Sequence, residues 1–252
     1  MVVEEKAVPY SAHPSPSSKA YRPTLLCKNM TTYIESSLSS VDLDNLPLFE
    51  GMARNIFENG YSIHTNALPY ELGQLLWAQL QKRPKSKFKK ARIGRKNTLH
   101  INTHIRTDEI SWINGETLAG AAWLNWTASM QSYLNRHLYL GLFSFESHFA
   151  RYKKGAFYKK HQDAFKGEDN RIVSVVVYFN RDWKAADAGE LMLYTGLDED
   201  TPLKVAPEFG TLVVFLSEDF PHEVLATNCE RLSIAGWFRV NGSRTGLVDP
   251  PQ

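Results

Sequence analysis

Five short apolar runs, separated by turn residues, are distributed along the second half of the chain. They cover residues 143–152, 172–179, 190–194, 211–216 and 232–240. Runs of this length, rich in β-branched and aromatic residues, predict strands, and a turn sequence such as Asp187-Ala188-Gly189 separates two of them. This pattern limits the possible folds more than any other feature, because so many short strands require a β-rich core.

Helical periodicity precedes the strands. Leu48, Met52 and Ile56 have the spacing of one helix face, and the residues 116–138 repeat that period over a longer segment. We therefore expect an α+β or mainly β fold, with helical support over 44–81 and 116–138 and a β core over 143–240. Residues 41–252 are expected to form one domain. Residues 1–40, rich in Ser, Pro and Thr, are expected to form an irregular tail or arm.

Two histidines and one aspartate lie beside these predicted strands. His161 and Asp163 are two residues apart, so an extended segment would project both side chains from the same side. His222 follows the run 211–216 and could be brought alongside by the fold. Two imidazoles and one carboxylate on one face of an octahedron suit Fe(II) and leave the other face open to a co-substrate and dioxygen. Taken alone, a His-x-Asp pair is more often an ordinary polar pair than a ligand set.

Arg231 opens an apolar run that is otherwise suited to burial. A buried guanidinium needs an anionic partner, and its planar shape binds a carboxylate with two parallel hydrogen bonds. The sequence therefore predicts that Arg231 binds the distal carboxylate of 2-oxoglutarate in the same pocket as the metal. The order of the four residues, each beside a strand-like run, favours this interpretation over unrelated polar residues.

Composition adds limits on location. No run approaches the length of a membrane span, and the first residues lack the basic region and apolar stretch of a signal peptide. Cys27 and Cys229 are the two cysteines, too few for a disulfide framework. A cytoplasmic protein with free thiols, in a compartment that keeps iron ferrous, is expected.

One segment concentrates the positive charge. Nine basic and no acidic residues occur from Lys82 to Lys96, which leaves 20 basic against 27 acidic residues elsewhere, a net charge of −7. Such a run is most often a solvated loop. The competing interpretation is that it steers an acidic partner towards the protein.

Several motifs between Ala150 and Trp237 resemble those of the Fe(II)/2-oxoglutarate-dependent prolyl 4-hydroxylase superfamily. The upstream segment 105–113 is similar to one that marks the prolyl hydroxylase domain branch, which contains the hypoxia-inducible-factor hydroxylases and bacterial relatives. The motifs within the resemblance are Arg151-Tyr152-Lys153-Lys154-Gly155, His161-Gln162-Asp163, Tyr178-Phe179-Asn180, Gly189-Glu190-Leu191, Pro221-His222-Glu223-Val224 and Arg231.

The resemblance implies a double-stranded β-helix, or jelly roll, and assigns roles by position. His161, Asp163 and His222 match the iron ligands, and Arg231 matches the arginine that binds 2-oxoglutarate. Tyr178 matches a tyrosine that assists that arginine, and Tyr152, Tyr158 and Trp237 match residues that line the pocket. Asp108 and Arg171 match a pair that bridges a loop to the core. The residues expected to face the substrate are Arg106, Asp108, Tyr158 and Arg171. Without the resemblance, Tyr178 and Trp237 would be interpreted as core aromatic residues.

The implied activity is prolyl 4-hydroxylation of a protein substrate with Fe(II), 2-oxoglutarate and dioxygen, with ascorbate as a further possible ligand. A nucleic-acid demethylase of the same superfamily is one alternative. Such enzymes typically place a second arginine six residues after the first, where this chain has Trp237, so we do not expect a nucleic acid partner. A non-catalytic iron-binding sensor is the other alternative. No membrane partner is expected, and the oligomeric state stays open.

Overall fold

The structure is a computed structural model that describes residues 45–91, 102–164, 170–196 and 201–241. The predicted tail 1–40 and the end of the basic segment, 92–96, lie outside these ranges. Three α-helices are described: α1 (Leu46–Asn59), α2 (Tyr70–Lys82) and α3 (Leu118–Leu138). Single turns of 3-10 helix cover Lys85–Lys87 and Ala185–Asp187. None of the described helices is both long and apolar enough to cross a membrane.

Local chemistry explains where the helices begin and end. The Thr117 hydroxyl accepts a hydrogen bond of 3.0 Å from the Gly120 amide, which satisfies one free donor at the start of α3. Helix α1 ends at Gly60, whose φ of 79° is a left-handed conformation that glycine adopts without a steric penalty. A Cβ at Gly60 would also lie 2.7 Å from the Phe220 ring, so a larger residue has no room there.

Eleven strands are named in the described ranges. They are β1 (Tyr61–His64), β2 (Lys89–Lys90), β3 (Glu109–Trp112), β4 (Ser144–Tyr152), β5 (Tyr158–His161), β6 (Arg171–Tyr178), β7 (Leu191–Leu193), β8 (Leu203–Val205), β9 (Leu212–Leu216), β10 (His222–Val224) and β11 (Arg231–Arg239). A seven-stranded sheet has the order β1-β9-β6-β11-β4-β3-β2, and a four-stranded sheet has the order β5-β10-β7-β8. All pairings between named strands are antiparallel.

The larger sheet separates two apolar clusters, because successive side chains of a strand point to opposite faces. On one face, Val175 of β6 and Ile234 and Phe238 of β11 pack in the same cluster as Trp123 of α3. On the other face, Tyr152, Tyr178 and Val213 pack with side chains of the smaller sheet. We call this second side the site face, because it carries the pocket described below.

The antiparallel, helix-supported arrangement confirms the predicted fold class of a jelly-roll core. Strands β2, β5, β8 and β10 lie outside the predicted apolar runs, although the equally short β7 lies within the run 190–194. Strand β5 reads Tyr-Lys-Lys-His, and β2 reads Lys-Lys, so neither shows the alternation of a half-buried strand. Pairing with neighbouring strands, rather than side-chain burial, defines these segments.

Candidate metal centre

His161 and His222 lie directly opposite each other on neighbouring strands of the smaller sheet. His161 ends β5, His222 begins β10, and the two are Cα partners in the antiparallel ladder. Asp163 follows two residues after His161. The Nε2 atoms of His161 and His222 lie 3.7 Å from Oδ1 and 3.6 Å from Oδ2 of Asp163, respectively. One ligand atom from each residue falls within 4.8 Å of the others, a grouping that could hold a metal ion.

The position of His222 differs from the sequence expectation in one respect. The histidine does not extend β9, which lies in the larger sheet, but belongs to a separate strand that pairs with β5 and β7. Only one of the three residues of β10, Val224, is apolar, so no apolar run marked this strand.

Backbone carbonyl groups orient both imidazole rings. His161 Nδ1 lies 2.8 Å from the Lys159 carbonyl oxygen, and His222 Nδ1 lies 3.0 Å from that of Phe220. A carbonyl oxygen can only accept a hydrogen bond, so each Nδ1 donates and each Nε2 keeps a free lone pair. This arrangement is the usual one for histidine ligands.

The local environment shifts the pKa values of His161 and Asp163 in the direction that favours metal binding. Burial lowers the pKa of His161 well below its usual value, and His222 adds to the effect, so this ring is neutral at pH 7. Burial alone would raise the pKa of the Asp163 carboxyl, but His222 and His161 beside it hold the pKa below its usual range. The carboxylate of Asp163 and the neutral imidazole of His161 therefore meet at the site.

Arg231 is 1% exposed, among the most buried side chains of the described structure. Its Nη1 donates to Ser233 Oγ at 3.3 Å, and its Cζ lies 4.8 Å and 4.9 Å from the ring centroids of Tyr152 and Tyr178. Within the described part of the chain, no carboxylate pairs with this guanidinium. Its Nε and the Tyr178 hydroxyl lack hydrogen-bond partners among the described residues.

The Arg231 guanidinium and the Tyr178 hydroxyl both need a hydrogen-bond acceptor. Burial raises the pKa of Tyr178 to about 12, although Arg231 opposes that change, so the phenol stays protonated and can donate. A buried cation and a free hydroxyl donor beside it would both be satisfied by one negatively charged hydrogen-bond acceptor. Gly189 leaves room for the arginine, since a Cβ there would lie 2.7 Å from Thr227 Cβ and 3.3 Å from Arg231 Cδ.

Trp237 lies opposite Ser174 of β6 in the β11 register and is 8% exposed. The Arg171 guanidinium stacks on its ring with Cζ 3.8 Å from the centroid. Arg171 Nη2 also forms an ion pair with Glu146 at 2.7 Å. The expected pocket residues Tyr152, Tyr178 and Trp237 thus share the site face with Arg231.

The expected pair of Asp108 and Arg171 is not the one that the structure contains. Asp108 forms a two-pronged ion pair with Arg106, with distances of 2.7 Å and 2.6 Å, while Arg171 pairs with Glu146. Arg106 is two residues from Asp108 and Glu146 lies across β11 from Arg171, so each charge finds a nearer partner. Arg106 also lies over the Tyr158 ring, with 4.2 Å between its Cζ and the ring centroid.

Three site-face residues were not singled out from the sequence: Glu146, His148 and Ser174. His148 is 3% exposed, and its ring lies 5.2 Å from that of Trp112 and 5.5 Å from that of Trp237, measured between centroids. Ser174 donates to the Asp163 carboxylate at 2.7 Å. The available signal was a polar residue on the inward side of an apolar strand, as in Val173-Ser174-Val175.

Comparison with known proteins agrees with this geometry. Residues 147–239 match the family model described as the 2OG-Fe(II) oxygenase superfamily. A prolyl-4-hydroxylase from Pseudomonas putida is 36% identical and has a TM-score of 0.69 over 77% of this chain and 100% of that one. A Trichoplax adhaerens prolyl hydroxylase, solved with a hypoxia inducible factor oxygen degradation domain peptide, is 26% identical, with a TM-score of 0.67 over 78% and 91% of the two chains.

A curated relative gives a shorter match. Human Egl nine homolog 1 is 30% identical over 143 residues, which are 53% of this chain and 33% of the human protein. The chain therefore matches about a third of the length of that relative. The matched region of the family model contains all four residues around which the site is built: His161, Asp163, His222 and Arg231.

Proposed function

This chain belongs to the 2OG-Fe(II) oxygenase superfamily, within its prolyl 4-hydroxylase branch, and we propose that it hydroxylates a prolyl residue of a protein substrate. Members of the superfamily use Fe(II) and 2-oxoglutarate, with dioxygen as the second co-substrate. The observation that carries the proposal is the buried guanidinium of Arg231, which has no carboxylate partner among the described residues and lies beside the free hydroxyl of Tyr178.

The donor set fits ferrous iron. His161, His222 and Asp163 offer two imidazole nitrogen atoms and one carboxylate, the combination found in non-haem Fe(II) oxygenases. When bound, iron supplies the dioxygen activation that couples oxidative decarboxylation of 2-oxoglutarate to hydroxylation of an unactivated carbon.

The remaining residues bind, orient and exclude water. We propose that Arg231 binds the distal carboxylate of 2-oxoglutarate through its two-pronged donor face, with the Tyr178 hydroxyl as a further donor. Tyr152 covers the guanidinium with its ring, which removes water and strengthens the charge-assisted bonds. None of these groups needs to exchange a proton, so their contribution is position rather than acid–base catalysis.

The substrate is proposed to approach past Arg106, Asp108, Tyr158 and Arg171. Tyr158 supports this choice because it stacks on His161 and is partly exposed. Trp237 occupies the position where a demethylase of the superfamily would carry its second arginine, and it is fixed under Arg171. This arrangement favours a protein substrate over a nucleic acid.

Three further elements complete the proposal. Ascorbate is proposed to maintain the ferrous state during turnover, and a cytoplasmic location is proposed because iron stays reduced there. Residues 41–252 are proposed to form one oxygenase domain preceded by the arm 1–40.

The test measures succinate formation and substrate oxidation together. The protein is incubated with Fe(II), 2-oxoglutarate, ascorbate and air, with and without a hypoxia inducible factor oxygen degradation domain peptide, the ligand of the Trichoplax neighbour. A proteome from cells with and without the protein extends the search to other prolines. Prolyl oxidation coupled to succinate supports the proposal. Oxidation of a methylated oligonucleotide would indicate the demethylase, and bound iron without succinate would indicate the sensor.

A further inference from the structure

Ser174 contacts the metal-site carboxylate from the other sheet. It lies in β6, in the middle of a valine-rich run, and its side chain is directed to the site face together with that of Tyr178. Its Oγ lies 2.7 Å from Asp163 Oδ2, and the residue is 1% exposed. A hydroxyl in an apolar strand costs free energy unless it is hydrogen-bonded, and here the carboxylate is its partner.

Ser217 extends this contact into a chain of two hydroxyls. It directly follows β9, is 0% exposed, and its Oγ lies 2.9 Å from Ser174 Oγ. The contact alone does not define which serine donates. The contact with Asp163 decides it, because Ser174 Oγ donates to the Asp163 carboxylate and a hydroxyl has only one proton to give. Ser174 must therefore give its single proton to Asp163, and Ser217 must donate to Ser174.

From this direction we infer that Ser174 and Ser217 form a positioning relay for Asp163. The relay fixes the orientation of the carboxylate through Oδ2, so that Oδ1 and Oδ2 face Nε2 of His161 and His222 at 3.7 Å and 3.6 Å, respectively. The inference rests on the proposed function, since it assigns a role at the same metal centre.

The physical reason for such a relay lies in the position of Asp163. The residue lies two positions after the end of β5 and is not itself part of a strand, so strand pairing does not orient its carboxylate. Ser174, in contrast, belongs to β6, and Ser217 directly follows β9, the neighbouring strand of the larger sheet, in which Leu216 pairs with Val173. Through these two hydrogen bonds, residues anchored in the larger sheet hold the side chain of Asp163, which follows a strand of the smaller sheet.

The test measures binding of Co(II), a spectroscopic substitute for Fe(II), to the full chain. Ser174→Ala should weaken Co(II) binding about 10- to 100-fold, the usual effect of removing a partner of a metal ligand. It should also change the visible absorption bands, because a released carboxylate alters coordination. Ser217→Ala should weaken binding in the same direction by about 2- to 10-fold, the range for a neutral hydrogen bond.

Two control variants separate positioning from general loosening of the fold. Ser62→Ala removes another serine that is 1% exposed and hydrogen-bonded, on β1 of the same sheet but bonded to Asn55 and His64. It should leave Co(II) affinity and spectrum unchanged. Ser174→Thr keeps the hydroxyl on a β-branched side chain and should restore both. Thermal unfolding of each variant checks that the fold is retained.

The double variant tests the direction of the relay. If Ser217 acts through Ser174, Ser217→Ala adds no further loss of Co(II) affinity in the Ser174→Ala background. An additive loss overturns the relay, and so does a Ser174→Ala protein with wild-type affinity and spectrum, or an equal loss in Ser62→Ala. If Ser174→Ala does not fold, the spectrum and affinity of Ser217→Ala decide. Failure of the wild-type chain to bind Co(II) would instead reject the proposed function itself.

Discussion

The phenol ring of Tyr158 stacks on the imidazole ring of His161, with 3.5 Å between centroids and 15° between planes. The guanidinium of Arg106 lies over the same phenol ring and forms an ion pair with Asp108. Three planar groups thus connect the proposed substrate side of the site to one metal-binding residue. A change in the proposed substrate-facing residues can therefore reach the metal centre without touching it directly.

The stack gives the first prediction. Tyr158→Leu should lower both Co(II) affinity and turnover, because the loss of an aromatic contact of this kind costs about 0.5–1.5 kcal/mol. Tyr158→Phe keeps the ring and should preserve metal affinity. Co(II) titration and succinate formation are measured on both variants. Equal metal affinity in the leucine and phenylalanine variants would show that the ring does not orient His161.

Removal of a metal-binding side chain gives the second prediction. His161→Ala or Asp163→Ala should abolish Fe(II)-dependent succinate formation, since a facial set of three ligands is incomplete without either one. Circular dichroism should show an intact fold, and chelation of the wild-type protein should have the same effect on turnover. Undiminished activity in either variant, or full activity with zinc in place of iron, would contradict the assignment.

Arg231 gives the third prediction. Arg231→Lys retains the charge but loses the planar pair of donors, so the KM for 2-oxoglutarate should rise. Tyr178→Phe should raise the KM less, because it removes a single hydrogen bond to a charged group, which contributes about 1.5–3 kcal/mol to binding. Steady-state kinetics with varied 2-oxoglutarate measures both. An unchanged KM in Arg231→Lys would mean that the arginine is structural and that the co-substrate binds elsewhere.

His148 gives the fourth prediction, for the metal-free protein. Burial, followed by the charge of Arg106, lowers the pKa of His148 to about 4, with Asp108 raising it and Arg171 lowering it. The unfolded chain binds this proton near pH 6.5 and the folded chain near 4, so stability falls as the pH drops through that window. The full loss is on the order of 3 kcal/mol.

Denaturant unfolding at several pH values compares wild type with His148→Phe, which keeps an aromatic ring between Trp112 and Trp237 but cannot be protonated. Its stability should depend less on pH between about 6.5 and 4 than that of the wild type. His161, whose pKa is also lowered, contributes equally to both proteins and cancels in the comparison. Parallel stability curves would show that His148 is not the group that titrates.

The fifth prediction concerns the basic edge, which we define as Lys87, Lys89 and Lys90. All are described, with Lys89 and Lys90 exposed on the two-residue strand β2 at the end of the larger sheet. If this edge steers an acidic substrate, replacing the three lysines by glutamate should raise the KM for the macromolecular substrate. Substrate-free 2-oxoglutarate turnover should barely change, and the difference should shrink with salt, since screening acts over about 8 Å at physiological ionic strength.

Competition with unrelated DNA or RNA distinguishes the kinds of partner for the basic edge. Inhibition by nucleic acid would favour the demethylase alternative, whereas its absence fits an acidic protein surface. Equal substrate kinetics in wild type and the charge-reversed protein at low salt would identify the segment as a solvated loop.

Sequence periodicity predicted those elements whose burial produces a regular pattern. Strand β4 begins at Ser144 and β11 at Arg231, each within one residue of its predicted start, because nine residues alternate between two apolar clusters. Strands β5 and β10 have four and three residues and pair mainly through their backbones, so no pattern marked them. Ion pairs could not be predicted from the sequence either. Asp108 lies two residues from Arg106, but the pairing of the two side chains is seen only in the folded structure.

Strand β11 presents Arg231 near its start and Trp237 near its end on the same face of the sheet. Arg231, Ser233 and Trp237 are separated by even numbers of residues and share the site face, while Ile234 and Phe238 face the helices. Inserting or deleting one residue before the strand would turn the guanidinium and the indole towards the helices and bring apolar side chains into the pocket. Natural variation in this strand should therefore occur by substitution, and changes in length should accumulate in the connecting loops instead.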